Sequence, residues 1–108
     1  MYYTFMDRGK ITDSLSLFTD DIEYERAGKN IVGKDKLKEF YLTERKIIGE
    51  HIIFNIFTPQ HQLSTVFVEG TFKFNNNTII NFVDIFEFNS NKIAKRKTFL
   101  NSGFKLLQ

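Results

Sequence analysis

The feature that most constrains the fold is a change of hydrophobic period at Gly49. Before this glycine, apolar residues recur at helical spacing, whereas after it they alternate with polar residues, as in strands with one buried face. Only short runs rich in asparagine, serine and proline separate the alternating segments. Strands joined so closely must be antiparallel. The chain is therefore predicted to be α+β, with N-terminal helices packed on one face of a sheet.

The spacing of apolar residues also predicts where the elements begin and end. Residues 1–9 are predicted to be the end of a helix that Gly9 terminates. Thr12 is predicted as the N-cap of a short second helix that closes at Asp20-Asp21, and the best helix is predicted over residues 34–48. Its apolar stripe is Leu37, Phe40, Tyr41, Ile47 and Ile48. The other predicted segments are a loop over 27–33 and strands over 22–26, 51–57, 63–74, 78–88 and 92–101.

Length and composition indicate one domain, residues 1–108, with a single modest core. The 13 phenylalanines and 4 tyrosines supply large apolar area. Cysteine is absent, which excludes a disulfide framework, a thiolate metal site and a thiol nucleophile. No apolar run is long enough to cross a membrane, and the first residues do not resemble a secretory signal. A cytoplasmic protein with no membrane partner is expected.

Charge and motifs argue against several other classes. The net charge is only +2, and the basic residues Lys92, Lys95, Arg96 and Lys97 alternate between the two faces of a strand, so no nucleic-acid partner is expected. The 2 histidines lack a close carboxylate at ligand spacing, so no metal site is predicted. A glycine-rich phosphate loop and a serine elbow are both missing, and no cofactor is expected.

Asp84 is the most informative polar residue. In the strand containing Phe82-Val83-Asp84-Ile85-Phe86-Glu87-Phe88, residues two apart share a face, so Asp84 lies in line with phenylalanines. A buried charge there is costly unless it is paired or neutral. The same alternation turns Arg96 and Thr98 inward on the last strand. An Asp84–Arg96 pair is therefore expected, and the guanidinium would keep Asp84 ionised.

Several stretches of the chain, taken in order, resemble one superfamily. They are Asp7-Arg8-Gly9-Lys10, Leu17 to Tyr24, Ile31-Val32-Gly33 running into Leu37 and Phe40-Tyr41, Val83 to Phe88, and Lys92-Ile93 through Thr98-Phe99. Their order and spacing resemble the SnoaL-like branch of the nuclear-transport-factor-2-like superfamily, which includes ketosteroid isomerases, polyketide cyclases and limonene epoxide hydrolase. The resemblance implies a cone-shaped, curved antiparallel sheet closed by about three N-terminal helices, a cystatin-like α+β barrel, with an apolar pocket inside.

The chain departs from this family at two places. The first helix is usually about two turns longer, on the order of 10 Å, so either the mouth of the pocket is more open or the chain lacks its true start. Ketosteroid isomerase uses a carboxylate base, a tyrosine and a protonated aspartate. The tyrosine and the aspartate match Tyr2 and Asp84, but the base matches Arg26, which cannot abstract a proton. Ketosteroid-type isomerisation is therefore not expected.

Other polar residues extend the predicted site. His51 begins a strand where family members tend to place a pocket residue, and it could act as an acid or base, or be held by a backbone carbonyl or Asp84. His61 lies in a turn and is expected to be solvated. Tyr24 and Arg26 share a face; either they point inward and add a hydroxyl and a cation to the pocket, or Arg26 points to water.

These observations leave the function open between three readings. The first is a protein that binds a small apolar or weakly acidic ligand, because arginines at the cavity, Arg26 and Arg96, would favour a carboxylate or enolate. The second is an isomerase, cyclase or hydrolase, and the third is an interaction module whose cone is filled by its own aromatic residues. The predicted acid–base residues are Asp84 and His51. The predicted ligand-binding residues are Tyr2, Tyr24, Arg26, Phe40, Phe72, Phe82, Phe86 and Arg96.

The outer face of the sheet is also predicted to be apolar. Val83, Ile85 and Phe99 point away from the Asp84 face, whereas a sheet that met water on this side would carry polar residues there. A homodimer packed sheet to sheet through this face is expected. An aggregation-prone open sheet is the alternative.

Overall fold

The sheet and its helices account for nearly all of the described chain. The computed structural model describes residues 2–26, 28–43, 49–60, 64–74 and 79–100. The helices are α1 (Tyr2–Asp7), α2 (Ile11–Leu15) and α3 (Lys34–Thr43). The strands are β1 (Phe18–Arg26), β2 (Lys29–Val32), β3 (Gly49–Phe57), β4 (Thr65–Phe74), β5 (Ile79–Asn89) and β6 (Lys92–Leu100). They form one curved, six-stranded sheet in the order β2-β1-β6-β5-β4-β3, which confirms the predicted α+β class.

The second half of the chain is the predicted antiparallel meander. β3 pairs with β4, β4 with β5 and β5 with β6, each antiparallel. Val68 lies opposite Asp84, and Asp84 lies opposite Thr98, so these side chains share one face across three strands. Short connections leave consecutive strands no other way to pair, which is why this part was predictable.

The prediction that the whole sheet is antiparallel is wrong, because β1 runs parallel to β6. Tyr24 lies opposite Arg96, and Arg26 lies opposite Thr98. No short turn joins these two strands, since α3 and the meander lie between them in the chain. Their relative direction is therefore not restricted by local geometry.

The predicted loop over 27–33 contains a strand. β2 pairs antiparallel with β1, with Tyr24 opposite Ile31, and the reversal lies next to Gly28, whose φ of 77° suits glycine. The strand is only four residues long and buries only Ile31. It therefore lacks the repeated alternation by which a strand is recognised in sequence.

Three boundaries near the N-terminus differ from prediction. The residue before α2 is Lys10, whereas Thr12 lies inside the helix and is not its N-cap. The helix ends at Leu15, and Asp20-Asp21 belong to β1, which begins at Phe18. A register shift between Phe18 and residue 23 interrupts the pairing of β1 with β6, and it hides the alternation of buried and exposed residues along β1.

The predicted apolar stripe on α3 is buried where the structure describes it. Leu37, Phe40 and Tyr41 are buried, and Ile47 and Ile48 lie outside the described residues.

A bulge in β3 decides which of its side chains face the helices. The pairing with β4 shifts between Ile53 and Asn55, which leaves Phe54 as the extra residue. Ile53 then lies opposite Gly70, and Ile56 lies opposite Val68 on the inner face. A Cβ on Gly70 would lie 2.4 Å from the carbonyl oxygen of Ile52, so this close approach requires glycine.

The core lies between the helices and the concave face of the sheet. Phe82, Asp84 and Phe86 are all buried, as their alternation along β5 predicted. The buried apolar residues are Tyr2, Leu15, Phe18, Ile22, Tyr24, Ile31, Leu37, Phe40, Tyr41, Val68, Phe72, Ile80, Phe82, Phe86 and Ile93. Within the described ranges, no helix has the length and apolar character needed to cross a membrane.

Candidate functional site

Asp84 is held by side chains from two separate parts of the chain. It is 1% exposed, and Nη2 of Arg96 donates to its Oδ2 at 2.9 Å. The hydroxyl of Tyr3, on α1, donates to the same oxygen at 2.5 Å. The hydroxyl of Thr98, which lies opposite Asp84 on β6, donates to Oδ1. The predicted Asp84–Arg96 pair is thus confirmed, and Tyr3 is an additional partner.

These contacts determine the charge of Asp84. Burial alone would raise the pKa of this carboxyl, but the charge of Arg96 and the hydrogen bonds from Arg96, Thr98 and Tyr3 outweigh it and hold the pKa below its usual range. Burial and the neighbouring carboxylate raise the pKa of the Tyr3 hydroxyl far above its usual value, so it remains a donor. Asp84 is therefore an anion that accepts hydrogen bonds, and not the neutral acid of an isomerase.

Arg96 joins Asp84 to two tyrosines. Its Nη1 donates to the hydroxyl of Tyr2 and, at 3.4 Å, to that of Tyr41, and these two hydroxyls lie 2.6 Å apart. The guanidinium carbon is 4.5 Å from the ring centroid of Tyr2 and 4.6 Å from that of Tyr24. Burial would lower the pKa of Arg96, but Asp84 outweighs it and raises the pKa above its usual value. The cation is thus permanent.

Tyr24 and Arg26 extend the same cluster along β1. The Tyr24 hydroxyl lies 3.0 Å from the hydroxyl oxygen of Thr98, and Nη1 of Arg26 donates to Tyr24 at 3.3 Å. Arg26 is 2% exposed, and its guanidinium carbon lies 5.4 Å from the ring centroid of Phe40. The inward orientation of Arg26 is thus correct, but its guanidinium contacts Tyr24 and Phe40 and does not line a recess. We call the connected set the polar network: Tyr2, Tyr3, Tyr24, Arg26, Tyr41, Asp84, Arg96 and Thr98.

His51 forms a second, smaller polar contact with α1. Its Nδ1 lies 2.5 Å from Oδ1 of Asp7, and its backbone N–H donates to Oδ2 at 2.9 Å. The imidazole packs between aromatic rings, 4.6 Å from Phe72 and 4.8 Å from Tyr3 between centroids. A carboxylate on Nδ1 orients the ring and holds a proton on that nitrogen. The pair therefore fastens α1 to the edge strand β3.

Two recesses lie on opposite faces of the sheet. The inner recess, about 280 Å³ in volume, lies beside the first turn of α1 on the concave face. It is lined by Tyr2, Tyr3, Leu17, Ile56, Val66, Val68, Phe86, Phe88, Asn91 and Ile93. The outer recess, about 400 Å³ in volume, is lined by Phe54, Glu69, Gly70, Asn81, Phe82, Val83, Phe99 and Leu100.

The predicted site residues divide between these features. Tyr2 and Phe86 line the inner recess, and Phe82 contributes to the outer one. Asp84, His51, Tyr24, Arg26 and Arg96 line neither, because they contact one another, Asp7 or the core. Phe40 and Phe72 are core residues whose rings pack against Arg26 and His51, respectively. His61 lies outside the described residues.

Three partners were missed by sequence reasoning. Tyr3 and Asp7 both lie on α1, and Tyr41 lies on α3 within a stripe that looked purely apolar. Each meets its partner across a long sequence separation, such as 81 residues for Tyr3 and Asp84. Only the adjacency of Tyr2 and Tyr3 gave a hint. Across the described ranges, no group of three or more histidine or acidic side chains is placed to hold a metal ion.

Comparisons with known proteins bear on the fold. No protein-family model matches the chain, and no curated protein matches it in sequence. Among solved structures, it is similar to a nuclear transport factor 2-like protein of unknown function from Burkholderia xenovorans (17% identity, 96% of this chain and 80% of that chain, TM-score 0.78). A Kribbella flavida protein provisionally named a ketosteroid isomerase matches at 12% identity, with 96% and 75% covered and a TM-score of 0.81.

The fold is also similar to that of a designed protein. A de novo designed protein with a curved β-sheet matches with a TM-score of 0.81 at 16% identity, over 96% of this chain and 82% of that one. The chain therefore has the nuclear transport factor 2-like fold. Since a designed protein shares the shape as closely, the fold alone does not identify an activity.

Proposed function

We propose that the protein binds a small, largely apolar molecule in the inner recess. The observation that carries this proposal is a cavity of about 280 Å³ on the concave face, walled by aliphatic and aromatic side chains. Ligand sites are typically concave, mostly apolar and about 300–1,000 Å³ in volume. The inner recess, at about 280 Å³, lies just below this range, which favours a compact ligand.

Binding is better supported than catalysis by the arrangement of the polar network. Asp84 is ionised and already accepts hydrogen bonds from Tyr3, Arg96 and Thr98, so it has no proton to donate. Arg26 occupies the position of the isomerase base and stays protonated. An isomerase, cyclase or hydrolase with Asp84 or His51 as acid–base group is the weaker proposal, because a substrate in the inner recess would meet neither side chain.

Filling the recess is the direct test. Val66→Phe should reduce the affinity for a neutral apolar fluorescent probe, N-phenyl-1-naphthylamine, by about tenfold or more, because the added ring occupies the space of the ligand. Val32→Phe is the matched control, since it makes the same change at an exposed position on β2. Native mass spectrometry of freshly purified protein would identify any molecule carried from the cell. Equal probe binding by both variants, or none by the wild type, would contradict the proposal.

A homodimer through the outer face of the sheet is our second proposal. Large apolar side chains are exposed there: Phe54 is 59% and Phe99 is 48% accessible, and Val83 lies opposite Phe99. The outer recess lies within the same surface. Glu69 and Asn81 also line this surface, so the apolar side chains are bordered by polar ones. Exposed apolar residues with a polar rim are typical of a protein–protein contact. The isologous pairing of two such faces would cover both patches at once.

A further inference from the structure

The lining of the inner recess specifies more than an apolar ligand. We propose that the ligand is an uncharged, largely apolar molecule with a single hydrogen-bonding group, such as a hydroxyl, carbonyl or amide, which meets the side chain of Asn91. This inference rests on the proposed function of the recess. It replaces the weakly acidic ligand that buried arginines suggested in the sequence.

None of the described residues that line the recess carries a charge. The two arginines predicted to attract an acidic ligand are committed elsewhere. Arg96 is bonded to Asp84 and Tyr2, and Arg26 is bonded to Tyr24 and lies against Phe40. A carboxylate placed in the recess would lose its hydration without gaining a described cation, which is costly.

The tyrosines in the wall present rings rather than hydroxyls to the recess. The hydroxyl of Tyr2 accepts a hydrogen bond from Arg96 and is hydrogen-bonded to the hydroxyl of Tyr41. The hydroxyl of Tyr3 donates to Asp84. All of these partners belong to the polar network, and none of Arg96, Tyr41 and Asp84 lines the recess. The wall formed by Tyr2 and Tyr3 is therefore apolar in effect, even though both side chains carry oxygen.

Asn91 is the described lining side chain that carries an amide. It is exposed in the turn between β5 and β6, next to the paired residues Phe88 and Ile93 that also line the recess. The amide therefore lies at the solvent side of the cavity. An amide can both donate and accept a hydrogen bond, which suits neutral polar groups of several kinds. A ligand would place its apolar body against Tyr2 and Tyr3 and its polar end at Asn91.

The test compares ligands that differ only in their polar end. 1-Octanol and octanoate have the same chain length, and toluene serves as a probe without a hydrogen-bonding group. With wild-type protein at pH 8, titration followed by NMR should show octanol binding at least about tenfold more tightly than octanoate. Asn91→Leu should weaken octanol binding roughly fivefold, because one hydrogen bond is lost, and should not weaken toluene binding, because leucine keeps the lining apolar. Asn89→Leu, at the end of β5 beside the same turn but outside the lining, is the control.

The outcomes separate this inference from the proposal on which it rests. Octanoate binding as tightly as octanol, or equal effects of Asn91→Leu and Asn89→Leu, would overturn the inference while toluene binding still supported a ligand site. If Val66→Phe did not reduce toluene binding, the inner recess would not be the site at all. In that case both the proposed function and the inference drawn from it would fail.

Discussion

At the scale of single residues, Asp84 connects parts of the chain that are far apart in sequence. Its donors come from α1 (Tyr3) and from β6 (Arg96 and Thr98), so one carboxylate joins the N-terminal helix to the last strand. A buried charge of this kind is stable only while its partners remain in place. The role of Asp84 in holding the fold follows from these contacts whatever the ligand is.

Removing the charge of Asp84 should therefore destabilise the folded protein strongly. We expect Asp84→Asn to reduce the free energy of unfolding by about 3–5 kcal/mol, because Arg96 would be left as an uncompensated buried cation. Urea titration followed by circular dichroism measures this. Glu87→Gln, an exposed carboxylate on the same strand, should change stability by less than about 0.5 kcal/mol. A loss below about 1 kcal/mol for Asp84→Asn would show that Arg96 finds another partner or water.

The stability contributed by Asp84 should also depend on pH, with a defined sign. Its pKa is lower in the folded protein than in the unfolded chain, so on acidification the unfolded chain takes up the proton first. The contribution is complete above the unfolded value of about 3.9 and is lost as the pH falls through the lower folded value. The difference in unfolding free energy between wild type and Asp84→Asn should therefore be constant from pH 7 to about 5 and shrink below about 4. A difference that grows on acidification would contradict this assignment.

At the scale of elements, α1 depends on its contacts with the rest of the molecule. It spans only Tyr2–Asp7, six residues, and isolated helices of such length are not stable in water. The hydroxyls of Tyr2 and Tyr3 are hydrogen-bonded within the polar network, and Asp7 is hydrogen-bonded to His51 on β3. The helix is therefore positioned by side-chain hydrogen bonds at both of its ends, and it forms one wall of the inner recess.

The Asp7–His51 contact can be measured by a double-mutant cycle. Asp7→Ala and His51→Ala should each destabilise the protein, and the double variant should lose less than their sum by about 1 kcal/mol or more, because each single change already removes the contact. Urea unfolding gives all the required free energies. Asp13→Ala, an exposed residue on α2, combined with His51→Ala should be additive within about 0.5 kcal/mol. Additivity of the Asp7 pair would mean that the contact contributes nothing.

At the scale of the whole molecule, the two faces of the sheet have different roles. The concave face is covered by helices and holds the polar network and the inner recess, whereas the opposite face exposes large apolar side chains. The two edges also differ. At one edge, β2 is short and begins with the polar residues Lys29 and Asn30. At the other edge, β3 exposes Ile52, Phe54, Ile56 and Phe57. An edge strand that exposes several large apolar side chains is a liability in a monomer.

The proposed dimer predicts a change in mass in solution. Light scattering coupled to gel filtration should show a dimer at micromolar concentration, and Phe99→Ser should weaken the association by about tenfold or more, because a large apolar side chain is lost from the centre of the contact. Val32→Ser, which shortens an exposed apolar residue on β2, should leave the dimer intact. A monomeric wild-type protein would contradict the proposal.

Features that depend on local geometry could be predicted from the sequence. Alternation along a strand follows from backbone stereochemistry, so the buried face of β5 and the inward position of Arg96 were predictable, and with them the Asp84–Arg96 pair. Short turns leave antiparallel pairing as the only option, so the meander was predictable too. The alternation of β1 was hidden by its register shift, and β2 was too short to show a pattern.

Which distant elements meet, and where empty space remains, became evident only in the folded molecule. The parallel pairing of β1 with β6, the contact of Asp7 with His51 and the hydroxyls of Tyr3 and Tyr41 on the polar network all join residues far apart in the chain. The sequence suggested a pocket lined by polar residues, but these side chains bond to one another, and the inner recess lies beside them. Whether a polar group faces a cavity or a partner depends on the packing of every element around it, which no local pattern contains.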